Sequence, residues 1–392
     1  MSLNDVCPPK ARTAASPAAP QPDRRTPLGP TGSDAIGVAR VLCILGIVYV
    51  HAWTGLTGPQ LAAADATAQG RLRWALAVLL GRSAVPLLSL ISGWLAAGSL
   101  GRRGAWPFIV GKARTVALPM ALWNGLAILL VGGAASLGWI VGPKPTGLAW
   151  TLDELLCATR PDDINVQMPF LRDLFLCLLA APLINRLGLR GLAALALAAM
   201  AWSLWNPAFP LLLRPSILMF FTLGLMARRG TAPAWIAARP LAWWAAPYAA
   251  LAVVNGLLAT GVLPRIASQP LAAGAADLLL RVCAALFFWS LAWRLAQGRW
   301  RAQLVGLEPY IFMLFCAHLI LIWLGGPLLG ALTGPLGAPL YPVFLVVQPL
   351  LVLGATILLA KGIKRLSPRA AAVLSGGRLE DRARATTPRT SS

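Results

Sequence analysis

Charge is scarce in this chain. Only 12% of its 392 residues are Asp, Glu, Lys or Arg, about half the share of an ordinary soluble domain, which excludes the surface of a conventional water-soluble enzyme. Histidine is scarcer still. There are two, His51 and His318, so any reaction that needs an imidazole has two candidates. The six cysteines, Cys7, Cys43, Cys157, Cys177, Cys283 and Cys316, show no C-x-x-C or other paired spacing, which argues against a zinc site, a redox pair or a disulfide framework; no metal is expected. The residues ahead of the first apolar run are rich in Pro, Ala and Ser and carry no small-residue cleavage pattern, so a cleaved signal peptide is not expected either.

What the chain has in excess is apolar sequence, 58% of the total. About 20 mostly apolar residues span a bilayer, and ten runs qualify: 36–57, 74–98, 115–133, 168–185, 191–207, 210–227, 241–262, 273–293, 309–328 and 339–360. The expected fold is an all-α integral membrane protein of about ten transmembrane helices. Residues 34–362 form its membrane domain, flanked by tails at 1–33 and 363–392 whose Pro/Ala/Arg/Ser/Thr composition predicts disorder, the second tail being basic.

Acidic residues are the under-represented sign, 13 against 34 Lys and Arg, for a net charge of +21. Such an excess fits either a polyanion partner or the positive-inside bias of a membrane protein. Its distribution decides. With both termini cytoplasmic, 25 basic residues fall on the inner side and 5 on the outer, with Arg82, Arg172, Arg214 and Arg281 inside spans. The charge lies along membrane margins and is not clustered with aromatics on one face, so a nucleic-acid partner is excluded and the lipid bilayer is the expected one.

Within the spans, a few residues are chemically active. Arg40 and His51 are eleven apart, a spacing that returns to within about 20° of the same helix face and covers about 16 Å. Ionisable groups at such depth usually line a cavity; lipid-phosphate contact for Arg40 and a helix-to-helix hydrogen bond for His51 are the plainer reading. Ser92 and Gly93 follow Pro86 in the second span, where small residues also serve helix packing. Lys112 and Arg114 precede Pro119, Trp123 and Asn124 at the cytoplasmic mouth, as an anion site or as an ordinary anchor. Asp277 and Arg281, at i and i+4, most simply neutralise each other. The acidic outer loop with Asp153, Glu154, Asp162 and Asp163 reads as sugar-binding or merely solvated.

Together these segments resemble the acyltransferase 3 family of integral membrane O-acyltransferases. The resemblance rests on Arg-x10-His in the first span, VPLLSLISGWL in the second, KARTVALPMALWN leading the third, FLRDLFLCLLAAPLI in the fourth and FMLFCAH in the ninth. It covers roughly 34–362 and implies transfer of an acyl group, commonly acetyl from cytoplasmic acetyl-CoA, to a hydroxyl of a polysaccharide, glycan or lipid-linked sugar at a bacterial-type inner membrane. Carried over by position, it implies His51 as the essential histidine, Arg40 as its motif partner, Lys112 and Arg114 as contacts for the donor phosphates, and His318 as a second catalytic histidine. Arg172 and Ser92 are implied on the substrate side. The chain departs from the family's usual pattern at Met168 and Pro169, and at Ile311, Phe312 and Phe315, which stand at its Ser-Phe and Tyr positions and lose two hydroxyls. The donor is a co-substrate. A polysaccharide synthase or export complex is the expected protein partner. A transporter or flippase, or a non-catalytic export component, is the competing class; the first lacks support from any inverted repeat.

Overall fold

The structure, a computed structural model, describes residues 28–82, 85–159, 161, 163–205 and 211–380. The expected N-terminal tail up to residue 27, the last twelve residues, Arg160 and Asp162, and the side chains of Arg82 and Arg265 lie outside the described residues. Among the described residues every regular element is helical, as a chain without water to satisfy its backbone requires. Among the described residues, seven helical runs are long and apolar enough to cross a membrane: Gly29–Val50, Ala68–Arg103, Ala105–Ser136, Leu241–Ala259, Pro270–Leu295, Arg301–Thr333 and Tyr341–Leu366. The other three expected spans are the shorter helices Met168–Ile184, Leu189–Trp205 and Ser216–Ala227. At 1.5 Å per residue these rise only about 18–26 Å, short of a hydrocarbon layer of about 30 Å.

We label α1 (Gly29–Val50), α2 (Val85–Arg103), α3 (Ala105–Ser136), α4 (Met168–Ile184), α5 (Leu189–Trp205), α6 (Ser216–Ala227), α7 (Leu241–Ala259), α8 (Pro270–Leu295), α9 (Arg301–Thr333), α10 (Tyr341–Leu366) and α11 (Pro368–Leu374). Short helices fill the connections. Helix α1 begins and ends about seven residues earlier than the apolar pattern predicts, so His51 caps its C-terminal end and is not embedded within it. Helix α1 is the centre of the bundle, packed by the segment Leu76–Arg82 and by α8, α9 and α10. Buried residues therefore run round its circumference, from Ala35 and Val38 to Val41, Cys43 and Ile47. Helices α1 and α9 run parallel: Arg40 Nη1 lies 2.8 Å from Glu308 Oε1, and eleven residues on the His51 ring sits 5.4 Å from that of His318.

Helices α2 and α6 meet at paired glycines. A Cβ on Gly93 would strike the carbonyl of Phe221, and one on Gly224 the carbonyl of Leu90, so these positions are small because two backbones touch. In α3 the turn widens to π-helical pitch over Ala113–Ala117, just ahead of Pro119, which lacks the N–H an ordinary ladder needs.

The C-terminal region departs from expectation. Residues 363–380 are structured: α10 runs to Leu366, Ser367 Oγ accepts from the Ala370 N–H to cap α11, and Ala371, Ser375 and Leu379 are buried. A Pro/Ala/Arg/Ser composition looks unstructured only while its few apolar residues have nothing to pack on; here α3 provides the surface. The acidic loop that contains Asp153, Glu154 and Asp163 is also built inward. Glu154 is buried and accepts the N–H groups of Asp163 at 2.8 Å and Ile164 at 2.7 Å, while Asp153 accepts from Thr159 and Asp163 from the Trp150 indole. Burial raises the Glu154 pKa, opposed by those backbone hydrogen bonds.

Candidate active site

Two cavities lie end to end along α1, named inner and outer after the sidedness expected from the charge distribution. The inner one, about 110 Å³, is lined by Arg40, Ser92, Lys112, Glu308, Phe312 and Arg378 among apolar side chains. It shares Arg40, Glu308 and Arg378 with a wider mouth of about 820 Å³ that also touches Asp34, Lys364 and Glu380. The outer cavity, about 590 Å³, is lined by His51, Gln167, Arg214, Ser216, Asp277 and Arg281, with Ser203 at its margin. Phe170 and Phe315 line both the inner and the outer cavity; their rings, 5.7 Å apart, stand between the two.

The inner cavity is cationic. Arg40 pairs with Glu308, but Lys112 and Arg378 make no ion pair among the described residues. The Arg378 guanidinium lies 3.9 Å from the centroid of the Phe312 ring. Burial, then the neighbouring Arg40, pulls the Arg378 pKa down to about 10. A site with three cations and one carboxylate favours an anionic ligand.

The outer cavity is polar and is lined by His51, whose ring lies against the buried His318. His318 Nδ1 faces the carbonyls of Phe315 at 2.8 Å and Leu314 at 3.2 Å; two acceptors require the proton on Nδ1, so the Nε2 of the neutral ring is a bare lone pair, buried and without a hydrogen-bond partner among the described residues. A neutral ring in this tautomer spends its one N–H on those backbone carbonyls and presents a proton acceptor at Nε2. Gln167 donates to the same turn of α9, to the carbonyls of Phe315 and Cys316 at 3.4 Å each, leaving Oε1 as a second buried acceptor without a partner among the described residues. Trp53, two residues beyond His51, lies against Gly326 and Gly330 of α9, and its carbonyl accepts from the Tyr341 hydroxyl at 2.9 Å. These contacts fix the chain on the exit side of His51.

The sequence-derived residues divide. His51 and His318 meet; Arg40, Lys112 and Ser92 share the inner cavity, with Ser92 Oγ donating to the Leu88 carbonyl at 2.7 Å. Arg114 is exposed and lines neither cavity, because two residues along a helix turn the side chain to the opposite face. Arg172 lines neither cavity. It pairs with Asp173 at 2.7 Å and donates to the carbonyls of Leu211 and Ala158, while Asp173 accepts from the Leu213 and Arg214 N–H groups, a tie between the loops that precede α4 and α6. Asp277 and Arg281 do pair, at 2.7 Å, yet they line the His51 cavity, which helical spacing alone did not reveal. Glu308, Gln167 and Arg378 were missed as well. Glu308 is an acid inside an apolar run with a cation near the same membrane margin in α1, a signal the sequence does carry. Arg378 left none. Among the described residues no group of three or more His, Cys, Asp or Glu side chains is placed to hold a metal.

The Acyltransferase domain family matches residues 33–360. The chain is 30% identical over 376 residues to the succinoglycan biosynthesis protein ExoH of Rhizobium meliloti (strain 1021), covering 91% of this chain and 95% of that protein. No solved structure matches. With a family match across nearly the whole helical bundle, the chain belongs to the acyltransferase 3 family and is a multi-pass membrane acyltransferase.

Proposed function

We propose that this protein transfers an acyl group, acetyl being the family's usual one, from cytoplasmic acyl-CoA to a hydroxyl of an exopolysaccharide or other cell-surface glycan at the inner membrane. The observation that carries the reading is the pair of cavities of opposite character on one helix: cations around Arg40, Lys112 and Arg378 at one end, and His51 among hydroxyl-, amide- and charge-bearing side chains at the other. The similarity to a succinoglycan biosynthesis protein supports a saccharide acceptor. A topology of ten spans with both ends cytoplasmic, the shorter helices α4, α5 and α6 included, agrees with the parallel course of α1 and α9, the first and ninth in such an alternation.

In this reading the inner cations hold the donor's phosphates and the outer cavity holds the sugar. His51 takes the hydroxyl proton as the oxygen attacks the thioester carbonyl carbon, the C–S bond breaks, and the proton passes to the leaving thiolate. His318, whose ring lies 5.4 Å from that of His51, orients that imidazole. If labelled acyl can be trapped on the imidazole, His51 is instead a covalent relay. Wild type and His51→Ala, expressed at equal membrane levels, are compared for O-acyl groups on the host's surface polysaccharide. Loss of acylation in the variant is expected; undiminished acylation would overturn the reading.

A further inference from the structure

The C-terminal strap, residues 367–380, lies beyond the part of the chain that matches the family, yet it is built into the inner cavity. Its course is fixed at several points. The Trp123 indole N–H donates to the Leu374 carbonyl at 3.0 Å, Ser375 Oγ accepts from the Leu379 N–H at 3.1 Å, and Ser375 is fully buried. At the turn, Gly376 has φ +60, and a Cβ there would strike the Thr115 carbonyl in the π-helical segment of α3. Only glycine combines that backbone conformation with that approach.

The turn delivers one side chain inward. Arg378 Nη1 donates to the Ser375 carbonyl at 3.0 Å, the guanidinium stacks on Phe312, and the residue lines both the inner cavity and its mouth. The charged groups around it are Arg40, Lys112, Lys364, Glu308, Asp34 and Glu380. Glu308 is engaged by Arg40 and Asp34 by Arg301. A planar guanidinium held at a cavity wall beside Lys112, with Glu308, the carboxylate of the inner cavity, already paired to Arg40, matches the bidentate recognition of a phosphate or diphosphate.

We propose that the strap closes the inner cavity and that Arg378 is a phosphate-binding residue for the donor, completing with Arg40 and Lys112 a three-cation site for a diphosphate-bearing ligand. The proposal rests on the cytoplasmic acyl-CoA reading above, and the experiment separates the two. Wild type, Arg378→Gln, Arg378→Lys and His51→Ala are purified as full chains into phosphatidylcholine nanodiscs, and binding of coenzyme A and of inorganic pyrophosphate is measured by calorimetry. Arg378→Gln is expected to weaken both by about tenfold or more, Arg378→Lys to recover part of the loss, and His51→Ala to bind as wild type. Arg378→Lys, which keeps the charge but not the fork, still reports should Arg378→Gln fail to fold. Wild-type binding of both ligands by Arg378→Gln overturns the proposal and leaves the donor reading intact. Pyrophosphate binding lost in Arg378→Gln, with no coenzyme A binding by wild type, supports the phosphate site and overturns the donor reading. If phosphatidylglycerol in the nanodisc abolishes pyrophosphate binding by wild type, the site holds a lipid headgroup and the proposal fails.

Discussion

His318 holds its proton on Nδ1 because two backbone carbonyls of its own helix stand there, and this fixes what the other nitrogen can do. An Asn at this position keeps an N–H near the site of Nδ1 and removes the acceptor at Nε2. His318→Asn is therefore expected to preserve folding and donor affinity while lowering kcat by roughly 10²-fold, the scale of a lost proton-transfer or orienting contact. Steady-state rates and donor KM on the purified variant check this, with fluorescence-detected size exclusion as the folding control; an unchanged kcat would assign His318 to helix packing alone. Both histidines were legible because the chain has only two. Their contact was not, since they are separated by most of the chain.

At the scale of elements, the placement of His51 depends on how α1 ends. The helix stops at Val50, and the next residues are pinned when Trp53 lies in the groove that Gly326 and Gly330 leave open in α9. A methyl group at either glycine enters the indole. Gly330→Ala is expected to cost about 1–3 kcal/mol by overpacking. Gly326→Ala, nearer to His51 along the groove, is expected to lower kcat more than stability, because a misplacement of about 1 Å at a reacting group can cost about 10²-fold. Thermal unfolding in detergent, paired with activity at a temperature where both variants remain folded, separates the two effects; equal losses of rate and stability would deny the pinning role. The sequence presented these glycines only as apolar-run residues, and the π-helical turn before Pro119 only as a proline.

For the whole molecule, the decisive feature is that two cavities of different chemistry meet at two phenyl rings. Phe170 and Phe315 come from α4 and α9 and line both spaces. Removing one ring joins the cavities and lets water from the outer space reach the inner one. Phe315→Ala is expected to raise acceptor-independent hydrolysis of labelled acetyl-CoA several-fold while lowering transfer to saccharide. Free coenzyme A released without acceptor measures it, and a release rate equal to that of wild type would show that the rings do not separate donor from water.

The sequence by itself determined the solvent of this protein. A low charge content, long apolar runs and a one-sided excess of cations are properties of composition and order, and the backbone's need to satisfy its own hydrogen bonds leaves helices as the outcome. Helical periodicity, which is local, also put Arg40 and His51 on one side of α1, although the helix itself ends at Val50 and His51 caps it. Only the tertiary structure decided which groups face one another across helices: Glu308 with Arg40, His318 with His51, Asp277 and Arg281 on the outer cavity, and Arg378 folded back from beyond the helical bundle. Those pairings depend on helix crossings set by a few touching glycines and by where each helix ends, which local patterning does not encode. Arg114 and Arg172, attractive in the sequence, were separated from the cavities by the same geometry. A charged side chain acts where its helix face is turned, and that rotation is fixed by packing.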